Sequence, residues 1–161
     1  MDTKDPSRQM LRHTVATLAY RAGKALRGAP DTFAQFSSGE KGRTPVQLVA
    51  HMGDLFDWAL SIAKGKQVWL DSAPLPWAQE VERFFASLKA FDDYLASDLP
   101  LGYSVEKLFQ GPVADALTHT GQIAMQRRMA GCPIRSENYF RADISAGRVG
   151  QDQAVPAREF D

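Results

Sequence analysis

Between Trp77 and Leu95 the sequence sets Trp77, Val81, Phe84, Leu88, Phe91 and Leu95 at steps of three and four. Only an α-helix turns that spacing into one apolar stripe, and such a stripe has to bury itself against others. Three more stretches provide them. Leu11, Val15, Leu18, Ala22 and Ala25 recur at helical spacing between about Ser7 and Arg27, where Gly28 and Pro30 bring the helix to a stop. Thr44-Pro45-Val46-Gln47 has the form of a helix start: a capping Thr, Pro at the first helical position and Gln three residues after the cap. Leu48, His51, Leu55, Trp58 and Ile62 follow on one face, and Gly65 supplies the stop. A short helical piece, Val105 to Phe109, precedes Gly111; the last helix then opens near Pro112 and runs to Ala130, before Gly131 and Pro133. No segment shows the alternation of a strand. The expectation is an all-α four-helix bundle, one domain over residues 1–161 with its helical core at about 7–131. The tail, 132–161, reads as irregular and packed along the bundle through Tyr139, Phe140 and Ile144.

Charge and cysteine narrow the function classes. Nineteen basic and nineteen acidic residues cancel, which argues against broad electrostatic capture of nucleic acid or of an anionic membrane. One thiol, Cys132, makes no internal disulfide and reads as structural. The start, MDTKDPSRQMLRH, lacks the apolar run of a signal peptide, and no stretch approaches the roughly 20 apolar residues of a membrane span. These features predict a cytoplasmic protein with no membrane and no nucleic-acid partner. Phosphate-cradling glycine loops, CxxC pairs and serine-nucleophile motifs are missing from the sequence. Phe56, Leu60 and Phe85 lie off the main stripes, an apolar surplus that suggests a homodimer unless the tail covers it.

The histidines carry the chemical signal. His13 sits opposite the first helix's stripe, beside Thr17, Tyr20 and Lys24, on what reads as a solvated face. His51 lies inside the second helix's stripe, where a buried imidazole needs a hydrogen-bond partner or a metal. On the last helix Asp115 and His119 are four apart and share a face, which Gln122 and Gln126 continue between Ala116 and Ile123. That stripe is expected to look inward. Two readings stand side by side: a metal site of His51, Asp115 and His119 between two helices, or an Asp–His hydrogen bond in a polar core layer. As a metal site the set leaves coordination positions open and suits zinc, iron or nickel. Asp54 reads either as a surface carboxylate or as a partner of His51. Arg127 and Arg128 read as a solvated helix end or as a grip for an anionic group.

The stretches TPVQLVAHMGDLFDW, residues 44–58, and DALTHTGQIAMQRRMAG, residues 115–131, resemble the DinB-like (YfiT-like) superfamily of metal-dependent four-helix proteins. Asn138 to Asp143 is similar to the tails of one branch, and the resemblance spans about residues 8–145. It implies a bundle that binds one divalent metal through three histidines, one on the second helix and two on the fourth. His51 and His119 match two of them, and Asp115 stands at the third position. A carboxylate there adds negative charge and weakens Lewis acidity. The resemblance further implies a small-molecule substrate, with hydrolysis or transfer of a low-molecular-weight thiol as the reaction. The alternative is a non-catalytic, stress-associated binding or structural bundle with a vestigial metal site.

Overall fold

A computed structural model describes residues 4–161; the first three residues of the polar N-terminal stretch lie outside the described residues. Most of the chain is helical. α1 spans Pro6–Leu26, α2 Pro45–Ala63, α3 Trp77–Ala96, α4 Val105–Leu108 and α5 Ala114–Met129. Their starts are local chemistry. The Asp5 carboxylate accepts from the Ser7 amide at 2.9 Å and Pro6 opens α1. At α2 the expected capping box is present: the Thr44 amide donates to Gln47 Oε1 at 2.9 Å, and the Gln47 amide donates back to Thr44 Oγ1 at 3.4 Å.

The last helix departs from the sequence reading. Gly111-Pro112 reads as a break, yet the helical backbone continues from α4 into α5 through a π-helical turn, Phe109–Val113. Pro112 lacks an amide proton and would clash with the carbonyl four residues back in a regular helix. The wider turn accommodates it and shifts the phase of everything that follows, Asp115 included.

The packed neighbours run α1–α3–α2–α5 and back to α1, so the consecutive helices α1 and α2 are not a close pair. The connection between them carries a 3-10 turn, Asp31–Gln35, which buries Phe33 edge-on against Trp77. At the far end of α2 the backbones touch: the Gly102 amide donates to the Ala63 carbonyl at 2.8 Å, and Gly65 takes φ +82°. Leu18, Met52, Phe56, Phe84, Leu88, Phe91 and Ile123 fill one shared core. Phe56 and Phe85, the surplus behind the homodimer expectation, are buried within this chain against α3 side chains, and Leu60 is half-buried.

Buried arginines tie the helix ends together. Arg8 donates to the carbonyls of Ser97 and Leu99 beyond α3, and Arg12 makes a two-pronged pair with Asp92 at 3.0 and 2.9 Å. Arg127 was expected at a solvated end or as an anion grip. It is instead buried, with its guanidinium spent on the carbonyls of Ala25, Arg27 and Cys132. Those carbonyls have no helical partner of their own, which is why a cation belongs there.

The tail is irregular apart from a 3-10 turn, Tyr139–Arg141, and a two-residue antiparallel pairing of β1 (Ser136–Glu137) with β2 (Glu159–Phe160). It corrects the reading of α1's outer face. His13 is exposed as expected, but Tyr20 and Lys24 are buried beneath Glu137: the Tyr20 hydroxyl donates to Glu137 Oε2, and Lys24 Nζ lies 2.6 Å from Oε1. Tyr139 packs edge-on to Tyr20 with the Arg21 guanidinium over its ring. Phe140, expected to cover the bundle, points outward at 97% exposure. No described helix is long and apolar enough to cross a membrane.

Candidate metal centre

α2 and α5 pack along each other, and their polar positions meet at one level. His51 comes from the middle of α2, Asp115 and His119 from consecutive turns of α5. His51 Nε2 lies 3.4 Å from Asp115 Oδ2, and His119 Nε2 lies 3.3 Å from the same oxygen. The imidazoles stand nearly perpendicular with centroids 4.8 Å apart, and all three donor atoms fall within 4.8 Å of one another. The cluster can hold a metal ion.

The sequence placed these three residues together correctly; it misjudged how deep they lie. The His51 and His119 side chains are 14% and 9% exposed, but the Asp115 side chain is 46% exposed, and Gln122 faces solvent. The polar stripe of α5 therefore lies at the edge of the bundle, with Asp115 at its mouth. Depressions open on either side of the centre. One is walled by Trp58, Gly111 and Asp115, the other by His119, Gln122 and the connection before α2.

Gln122 has a task the sequence did not reveal. Its Oε1 accepts from His119 Nδ1 at 2.7 Å. That bond calls for a proton on Nδ1 and turns Nε2 toward the Asp115 oxygen.

Burial first, then the charge of Arg43, holds His51 below its ordinary value, with Asp115 pulling the other way. The neutral imidazole so favoured is the ligand form. Trp69, 44% exposed on the connection from α2 to α3, stands edge-on to His51 at 5.6 Å and to Trp58 at 5.8 Å.

Asp54 is what holds that connection, and neither expectation for it applies. It is 3% exposed and accepts from the Ser72 amide at 2.9 Å and from Arg83 at 3.2 Å. Buried Glu80 accepts from the Leu75 amide at 2.7 Å and from the same Arg83 at 2.5 Å. The two carboxylates share one guanidinium and fasten the segment that lays Trp69 over His51. Cys132 lies well along the chain at the end of α5, its backbone bonded to Arg127, and takes no part in the centre.

Fold and site together define a helical bundle with a His₂Asp cluster between two of its helices. Compared with known proteins, the chain matches no family model, no curated protein and no solved structure.

Proposed function

We propose that His51, Asp115 and His119 hold one divalent metal ion, and that the coordination positions they leave open act on a small molecule. The observation that carries this reading is the spacing of the donors. At 3.3 and 3.4 Å the Nε2···Oδ2 separations are long for charged hydrogen bonds. They leave room for an ion between each imidazole nitrogen and the shared carboxylate oxygen, with all three donors within 4.8 Å of one another. Two imidazoles and a carboxylate suit zinc, nickel or iron. A metal so bound supplies Lewis acidity, favouring deprotonation of a coordinated water or thiol. The resemblance to the DinB-like superfamily points the same way, toward a hydrolase or a transferase of a low-molecular-weight thiol. Asp115 in place of a third imidazole tempers that acidity.

Elemental analysis of protein purified without added metal, and again after loading, tests the reading. One ion per chain is expected, lost in His51→Ala and His119→Ala and kept in His13→Ala. Equal retention in all three variants would sink it.

The commitment of Asp54 to Arg83 and Ser72 favours a second reading. It removes the carboxylate nearest His51 in sequence from acid–base work. A non-catalytic, stress-associated bundle with a vestigial site would then bind metal and turn over neither esters nor thiol conjugates.

A further inference from the structure

A groove of about 520 Å³ leads from His119 along α5 to the connection before α2. Its charge is one-sided. Lys41 and Arg43 line it and no carboxylate does, and neither cation is in an ion pair among the described residues. Arg8, Arg83 and Arg127, by contrast, are consumed by carbonyls or carboxylates. The opposite wall is soft and apolar: Met125 and Met129 stand 53% and 54% exposed.

Arg43 is placed from beneath. Gln126 is 5% exposed, and its Nε2 donates to the Arg43 carbonyl at 2.8 Å. Its Oε1 is buried with no partner. An unpaired acceptor is unfavourable in a core, so this amide persists there through what its donor end does, which is to fasten the connection carrying Lys41 and Arg43 beside His119.

We infer that this groove is the anion subsite of the centre and takes a small organic carboxylate. Arg43 and Lys41 pair with its carboxylate, Met125 and Met129 pack on its apolar part, and its reacting end lies beside His119. Gln126 is the positioning residue. Guanidinium supplies the planar fork that a carboxylate matches. The inference rests on the metal reading above.

Calorimetric titration of the zinc-loaded, full-length protein separates the two. Mercaptosuccinate, a dianionic thiol, should bind about tenfold tighter than neutral thioglycerol, the scale of one charge-assisted contact. Compared at full zinc loading, Arg43→Gln and Lys41→Gln should each cut that preference several-fold, and added salt should erode it. Gln126→Met should cut it as Arg43→Gln does, and the double variant should lose little more. If Gln126→Met does not fold, the two cation variants decide. Equal binding of the two thiols, or a preference untouched by Arg43→Gln and Lys41→Gln, overturns the subsite and leaves the metal reading standing. Protein that takes up no zinc overturns both.

Discussion

Replacing Gln122 by Leu removes the hydrogen bond that orients His119 while leaving all three donors of the centre in place. In the native arrangement Gln122 Oε1 accepts from His119 Nδ1 at 2.7 Å, fixing both the tautomer and the ring direction. Without it the imidazole is free to exchange tautomers and rotate, and Nε2 loses basicity. Loss of such a partner lowers metal affinity about 10- to 100-fold, or about 1.4–2.7 kcal/mol. Gln122 is exposed, so folding should change by no more than about 0.5 kcal/mol. Competition against a chromophoric chelator measures the first quantity, and thermal unfolding of the metal-free protein the second. Gln122→Glu, a stronger acceptor, should bind metal at least as tightly as the native chain. Unchanged affinity in Gln122→Leu, with unchanged stability, would refute the claim that His119 ligates through Nε2. A rise in affinity would point to Nδ1 as the ligand atom.

Asp115→His completes a set of three imidazoles and should tighten zinc in the same competition; weaker binding would mean that Asp115 is no ligand or that its position rejects a ring. Lys24→Met strands the Glu137 carboxylate, whose side chain is 0% exposed, and should cost about 3–5 kcal/mol in denaturant unfolding. A loss below about 1 kcal/mol would show that the tail is not held by that pair. Gly102→Ala sets a Cβ 2.1 Å from Gly65 Cα, and backbone must move, so roughly 1–3 kcal/mol should be lost; a neutral result would refute the contact. His51 titrates below its ordinary value of 6.5, so the unfolded chain takes up its proton first as pH falls. Its contribution to metal-free stability is complete above about pH 6.5 and declines below it, and His51→Gln should flatten that slope.

What was legible in this fold was local. The capping box at Thr44 and the stripe from Trp77 to Leu95 are fixed by residues within a few positions of one another, and both stand where the sequence puts them. The join at Gly111-Pro112 misled because two helix-breaking residues have a second solution, a π-helical turn, that depends on what the helix packs against. The outer face of α1 misled for a longer-range reason. Tyr20 and Lys24 look solvated until Glu137, more than a hundred positions away, closes over them. Once there, burial and the neighbouring carboxylate push the Tyr20 phenol well above its ordinary range, while Glu137 and Glu159 outweigh the burial that would strip the proton from Lys24.

The centre divides along the same line. His51 among apolar neighbours and the four-residue step from Asp115 to His119 are helix geometry, visible in the sequence. Lys41, Arg43 and Trp69 come from connections, whose course no periodicity encodes. The residues that fasten those connections share a position. Asp54, Glu80 and Gln126 sit three positions from His51, Trp77 and Ile123, at the edges of the inward faces, and all three are buried. A polar group at such a position must find a partner. With helical amides already bonded, the free partners are the backbone groups of connections crossing the bundle: Ser72, Leu75 and the Arg43 carbonyl. A carboxylate or amide buried at the edge of an apolar stripe thus marks a fastened connection, and here two such connections converge on the same pair of imidazoles.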